Sequence, residues 1–306
     1  MKKFLLFGSI FVVSFLVTYF ILCLKDTGKT RTRNVNTLVS SSVLVIADGG
    51  YGSGVVFKNG ENTYVWTDAH VVAGAQEAYI SIDLLTGIPK VNVTYKDVYV
   101  SQEIYEQGRK VGENIYLAKI IRYSQYHDIA LLKVYKKDCF SHSVQFIEDD
   151  EIPDIGDKVW HVGSMNGPKG LNSLSEGTFS KAGRLRKYFI PDEFGGIIYD
   201  QCSLSAHRGS SGGGVFRQSD CKCIGIVTEF LGKDTYGEFC ITPARRIREF
   251  AKSSNCEWAM NSMIQVPSKD ENQVTQDVLI LTDELKIVLF PKEFEQLPAP
   301  QEKKEE

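Results

Sequence analysis

The segment Gly209-Ser210-Ser211-Gly212-Gly213 sets a serine between glycines. Glycines let the backbone turn sharply and let N–H groups converge on one point. Converging donors suit the oxyanion of a tetrahedral intermediate. By itself the segment is equally readable as a plain glycine-serine loop. A nucleophilic serine also needs a base, because its hydroxyl is barely ionised at neutral pH. Histidine is the usual one, with a pKa near the working range. All five histidines, His70, His127, His142, His161 and His207, precede Ser211. That excludes the chain order serine, acid, histidine of the α/β-hydrolases. The order acid, histidine, serine would need an acid well before the base. Only Asp26, Asp48 and Asp68 precede His70, and none has a suitable context. The order histidine, aspartate, serine remains.

His70 stands in Trp66-Thr67-Asp68-Ala69-His70-Val71-Val72, just after an apolar strand pattern. A strand end holds a side chain firmly at a cleft. Asp128 opens the run Ile129-Ala130-Leu131-Leu132-Lys133-Val134, a place for a carboxylate that orients an imidazole, or for an ordinary turn residue. His127 would point away from it. His142 and His161 lack a companion motif and read as surface or core residues. His207, four residues before Ser211, is placed to line a cleft.

Outward from these residues the pattern is that of short strands. Ser42 to Ile46, Gly54 to Phe57, Tyr64 to Thr67, Ala78 to Ile82 and Ile129 to Val134 form a first series. Lys58-Asn59-Gly60-Glu61 supplies a hairpin turn. The stretch 84–122 is long for one connection and predicts a hairpin or an insertion over the barrel. Asp157 to Gly163, Glu176 to Ala182, Gly196 to Asp200, Val215-Phe216 and Ile224 to Val227 form a second series. A helix follows over Pro243 to Lys252. Two strand-rich halves closed by a helix fit a two-barrel architecture.

Length and composition agree. The chain has 306 residues, 43% hydrophobic and 24% charged, enough for one large domain or two small ones. The net charge of −3 implies no nucleic-acid partner. Phe4 to Leu24 is an uncharged run, matching the about 20 residues that cross a bilayer as a helix. It is long for a signal-peptide core and lacks a clear small-x-small cleavage site. Residues 265–306 carry five lysines against ten Asp and Glu. There Val278 to Leu281 and Lys286 to Phe290 suggest a hairpin, and the sequence beyond Pro291 suggests disorder. Of seven cysteines, Cys23 lies in the apolar run. The other six read as buried thiols in strands. The spacing of Cys221 and Cys223 matches no strong zinc pattern.

With these motifs in place, the chain resembles a trypsin-like serine protease of the HtrA/Deg type. Tyr51-Gly52-Ser53-Gly54-Val55-Val56 with Thr67 to Val72 is similar to that family's histidine region, and His127 to Val134 to its aspartate strand. Gly163 to Gly170 with Glu176 to Ser180 resembles the opening of its second barrel. Gly209 to Gly213, Ile224-Gly225-Ile226 and Phe239 to Phe250 resemble its serine loop and closing helix. The resemblance implies Ser211 as nucleophile, His70 as base and Asp128 as orienting acid. It implies an oxyanion hole from the N–H groups of Gly209 and Ser211. The primary pocket would have Ser205 at its base and Thr228, Glu229, Phe230 and Gly237 in its walls. Ser205 is uncharged, which predicts cleavage after small or medium apolar residues, although Glu229 would draw in a basic one. The chain departs from the family at Ser203, where an acidic residue is common, at Gly214 in place of proline, and in the long 84–122 stretch. The tail is too short for the peptide-binding domain that often follows.

The expected fold is therefore all-β: two Greek-key six-stranded barrels with a short C-terminal helix, preceded by one transmembrane helix. Expected boundaries are an anchor over 1–25, a stalk over 26–37, barrels over 38–140 and 141–255, and an acidic, partly disordered tail over 256–306. Protein or peptide substrates, a membrane contact through residues 4–24, and no cofactor, metal or nucleic acid are expected. The oligomeric state is left open. Lys2 and Lys3 favour an inside amino terminus, whereas Lys25, Lys29, Arg31 and Arg33 argue the other way. The family resemblance favours a catalytic domain outside the cytoplasm. A catalytically idle binding or scaffold protein on the same fold, and an esterase using the same groups, are the alternatives.

Overall fold

A computed structural model describes residues 34–82, 89–106, 109–186, 197–230, 237–267 and 275–276. The apolar run 4–24, the suggested hairpin in the tail and everything beyond Pro291 lie outside these residues. Among the described residues no helix is long and apolar enough to cross a membrane.

Residues 34–40 form a helix, α1, where the sequence suggested the end of a stalk. Val35, Leu38 and Val39 pack it against the core, which is why a segment with so many polar residues is ordered. Strands β1 (Ser42–Ala47), β2 (Gly50–Asn59) and β3 (Asn62–Thr67) follow, with the β2–β3 hairpin turning at Gly60 as expected. A one-turn helix, α2 (Ala69–Val72), comes next. Strands β4 (Gln76–Ile82) and β5 (Pro89–Tyr95) pair as a separate ribbon. Then come β6 (Val98–Glu106), β7 (Arg109–Ser124) and β8 (Ile129–Val134). The antiparallel ring runs β1–β2–β3–β8–β7–β6 and back to β1. The stretch 84–122 is thus not simply an insertion. It supplies two of the six barrel strands, whose far ends extend as a long solvent-facing hairpin.

The second ring contains β9 (Lys158–Gly163), β10 (Ser173–Arg186), β11 (Ile197–Leu204), β12 (Gly214–Arg217), β13 (Cys223–Phe230) and β14 (Glu238–Pro243). It closes in the order β10–β11–β14–β13–β12–β9. Taking each barrel's strands in chain order, both rings run first, second, third, sixth, fifth, fourth. The two halves share one Greek-key topology with no visible sequence repeat. Helix α3 (Ala244–Ser253) closes the structure.

Two apolar layers explain the strand sequences. Val43, Val45, Val56, Val65, Val98, Val100, Ile120, Ala130 and Leu132 fill the first barrel. Their neighbours Val55, Tyr64, Trp66, Ile129 and Leu131 point outward, into a core shared with Val159, Val162, Val215, Ile226 and Phe250. Strands buried on both faces read as continuous apolar runs rather than alternating ones, as β3 and β8 do. The barrels therefore meet over a largely apolar interface, and the segments leaving β3 and entering β8 are held at its edge. The packed unit continues past α3. Cys256, Trp258 and Ala259 are buried, the Trp66 indole N–H donates to the Ala259 carbonyl at 2.8 Å, and Asn59 donates to the carbonyls of Trp258 and Ile264.

Candidate active site

His70 sits on α2, the single helical turn that follows β3. Asp128 occupies the turn before β8, with φ of 52°. The left-handed region is one that Asp tolerates better than most residues. Because β3 and β8 pair directly, their ends lie side by side. Asp128 then makes two bonds to one residue: Oδ1 accepts the backbone N–H of His70 at 2.9 Å and Oδ2 lies 2.8 Å from its Nδ1. The first bond fixes the histidine backbone, and the second fixes the ring and its tautomer. The imidazole is half exposed and the carboxylate mostly covered.

The Asp128 turn is held from behind. Arg246 of α3, itself buried, directs its guanidinium at His127 Nδ1 (3.3 Å) and at the carbonyls of Tyr126 (3.4 Å) and His127 (3.3 Å). It also stacks 4.9 Å over the Tyr199 ring. His127 packs against Tyr126 and Phe250.

Ser211 comes from the second barrel, on the loop between β11 and β12. The Gly212 N–H donates to the Val227 carbonyl (2.7 Å) and the Val227 N–H to the Gly213 carbonyl (2.8 Å), so β13 carries the loop. Gly212 has φ of +82°, and a side chain there would strike the Ser53 carbonyl at 2.1 Å. The opposite barrel grips the loop through Ser53 of β2. Its N–H donates to the Ser211 carbonyl at 2.7 Å. Its hydroxyl donates to the Gly209 carbonyl at 2.6 Å and accepts the Ser164 N–H at 2.7 Å. Beside it, a Cβ on Gly52 would meet both Val71 and the Ser211 carbonyl, at 2.5 and 2.9 Å. The absence of a side chain at Gly52 lets the serine loop approach the histidine helix. The N–H groups of Gly209 and Ser211 donate to no backbone acceptor among the described residues.

A cavity of about 540 Å³ opens next to Ser211, lined by Leu204, Ala206, Val227 and Phe239 and by Ser205, Thr228, Gly237 and His207. Three of the five anticipated pocket residues are therefore there. The side chains of Glu229 and Phe230 are outside what the structure describes. His207 lines the cleft, as its spacing suggested. His161 is a core residue: it is fully buried beneath the serine loop, and burial pulls its pKa down to about 4. The six described cysteines are free thiols. Burial pushes Cys223 and Cys256 up to about 12, which makes them poor nucleophiles.

Residues 52–226, more than half of the chain, match the family model of the trypsin-like peptidase domain. The chain belongs to the trypsin-like peptidase family. Three solved structures show how the family's fold carries over. The serine endoprotease of Yersinia pestis is 20% identical, with a TM-score of 0.51, over 73% of this chain and 65% of its own. The chain thus spans a little under two thirds of that protein. Rv3671c of M. tuberculosis H37Rv, in an inactive form of a serine mutant, is 18% identical with a TM-score of 0.52, over 72% of this chain and 89% of its own. The Rv3671c protease in its inactive form aligns likewise, with a TM-score of 0.51, 18% identity and 72% and 92% coverage. At these identities the likeness is one of fold. No curated protein matches the chain.

Two side chains that bear on this trypsin-like site escaped the sequence reading. Ser53 appeared only as part of a motif, and nothing local marks it as a clamp between barrels. Asp68 reads in the sequence as an acid without a suitable context, yet it lies at the site, buried beside the His70–Asp128 pair.

Proposed function

We propose that this chain is a serine endopeptidase in which Ser211 attacks the peptide carbonyl, His70 serves as base and Asp128 orients the imidazole. The observation that carries the reading is the pair of hydrogen bonds from Asp128 to His70, at 2.9 and 2.8 Å, on a helix turn that the bare Gly52 lets approach the Ser211 loop. A carboxylate bonded to Nδ1–H leaves Nε2 as the basic nitrogen and steadies the imidazolium that forms on proton transfer.

In this reading the Ser211 hydroxyl proton moves to His70 Nε2 as Oγ bonds to the substrate carbonyl carbon. The oxyanion is received by the N–H groups of Gly209 and Ser211, which Ser53 orients from the other barrel. The imidazolium then protonates the leaving amine, and an acyl-enzyme on Ser211 is hydrolysed by water activated at the same nitrogen. The apolar walls around Ser205 favour a small or medium apolar side chain before the cleaved bond. Residues 4–24 would anchor the chain to a membrane with the barrels outside the cytoplasm, a reading supported by the uncharged run and the family resemblance.

The test is labelling with a fluorophosphonate probe, with the native chain compared to Ser211→Ala and paired with cleavage of an unstructured protein. Labelling and cleavage that depend on Ser211 are expected. Equal labelling of both proteins would overturn the assignment.

A further inference from the structure

Asp68 is placed unusually for a residue of its type. It occupies the cap position before α2, where an Asp normally turns its carboxylate onto the helix N–H groups. Here its side chain makes no such bond. It is fully buried instead, facing the junction of the barrels. Oδ1 accepts the hydroxyl of Thr228, from β13, at 3.2 Å. Thr228 lies 2.7 Å from the hydroxyl of Thr242 and also lines the pocket. Oδ2 has no partner among the described residues. Carboxylate and imidazole atoms of Asp68, His70 and Asp128 lie within 4.8 Å of one another.

Two carboxylates this close, one of them fully buried, do not both stay charged at neutral pH, since desolvation and mutual repulsion oppose the second charge. Asp128 is partly exposed and bonded twice to His70, whereas Asp68 is sealed from solvent with one oxygen unpartnered among the described residues. The proton falls to Asp68. The titratable groups facing it are Asp128 and His70 from the first barrel. The second barrel offers Thr228 and the Gly212 N–H, and the cation Arg246 faces the Asp128 turn from α3. Burial first, then the neighbouring Asp128 charge, holds the Asp68 carboxyl well above the usual range, against the weaker opposing pull of His70, Thr228 and Gly212.

We propose that Asp68 is a positioning residue of the His70–Asp128 pair, carried as a neutral carboxylic acid. One oxygen is tied to the pocket strand through Thr228, and the other presents an O–H beside Asp128. The proton turns an orphaned acceptor into a donor and leaves Asp128 with a single charge directed at His70. It also couples the pocket wall to the histidine helix. This inference deepens the proposed function and rests on it for its kinetic arm alone.

The experiment compares the native chain with Asp68→Asn and Asp68→Ala. Asn reproduces a neutral group with an acceptor for Thr228 and a donor for Asp128, so it should keep kcat within about threefold, whereas Ala should lower kcat by about tenfold or more at unchanged KM. The acid limb of the pH–rate profile, set by His70, should not move in Asp68→Asn. A charged Asp68 would raise the imidazole pKa, so its removal would shift that limb down by about one unit or more. Independently of any activity, the infrared carbonyl band of a protonated carboxyl group in the native protein should vanish in Asp68→Asn. A downward-shifted acid limb, native kcat in Asp68→Ala, or no lost infrared band would each overturn the proposal. A dead Ser211 would silence only the kinetic arm, and the infrared comparison would still decide.

Discussion

The backbone N–H of Ser53, in the first barrel, donates to the carbonyl of Ser211, in the second, at 2.7 Å. The Ser53 hydroxyl extends the same grip to Gly209 and Ser164. The loop that carries Ser211 is therefore shaped by a residue 158 positions earlier in the chain. Ser53→Ala keeps the backbone bond but leaves the Gly209 carbonyl and the Ser164 N–H without their side-chain partner. Such buried losses cost about 1–3 kcal/mol each. The loop should also relax from its attack geometry, and kcat should fall roughly ten- to hundredfold. Chemical denaturation and steady-state kinetics on one preparation check both effects. Native kcat would show that Ser53 does not shape the oxyanion hole.

Replacing Ser211 or His70 by Ala should lower kcat by roughly 10⁴-fold or more. Neither side chain is part of the packed core, so the melting temperature should stay near that of the native chain. Asp128→Asn should be comparably severe, because an amide in place of Oδ2 favours the wrong tautomer of His70. Near-native kcat in Asp128→Asn would remove Asp128 from its role.

The pocket beside Ser211 is walled by Leu204, Ala206, Val227 and Phe239, with Ser205 among its polar groups. A peptide library should show small or medium apolar residues before the cleaved bond. Ser205→Asp should add a preference for Lys or Arg, by bringing a carboxylate into a partly dry cleft. A native profile already dominated by Lys and Arg would point to Glu229 instead.

His161 adds an acid-sensitive contribution to stability. Its Nδ1 lies 3.1 Å from the Gly214 carbonyl, and burial lowers its pKa to about 4. The unfolded chain takes up a proton there below about pH 6.5, which the folded chain resists down to about 4. Stability from this residue is complete above the unfolded value and declines as pH falls towards 4, by at most about 3 kcal/mol. In His161→Gln the denaturation midpoint should change less between pH 7 and pH 4.5, intervals chosen as roughly bracketing that window. Identical pH slopes in the two proteins would contradict this.

The membrane reading is checked by protease protection of a C-terminal tag on intact cells or spheroplasts. Digestion without permeabilisation is expected for barrels outside the cytoplasm. A tag shielded until the membrane is opened would reverse the orientation.

The sequence alone went far for one group of features. The order of His70, Asp128 and Ser211, the strands they adjoin and the two-barrel plan were legible because each rests on local pattern. Apolar runs mark strands buried on both faces, and a glycine-flanked serine marks a tight loop. Other elements were harder to see. Strand β14 was missed because Phe239-Cys240-Ile241 is a short run beside a helix signal. The stretch 84–122 read as a hairpin or an insertion over the barrel, not as two barrel strands, because the outer half of β6–β7 is exposed and lacks a buried face to enforce alternation. The first half of helix α1 and the buried Trp258 were assigned to stalk and tail, because only a few apolar residues in each dock on the shared core. The tertiary structure alone decided the roles of Ser53, Asp68 and Arg246, and it gave Thr228, anticipated as a pocket wall, its partner Asp68. Each is an ordinary residue in its own segment. Thr228 meets Asp68 across 160 positions, and Arg246 meets His127 across 119. A polar side chain acquires its function from the partner that burial forces on it, and that partner is set only when the two barrels close against each other.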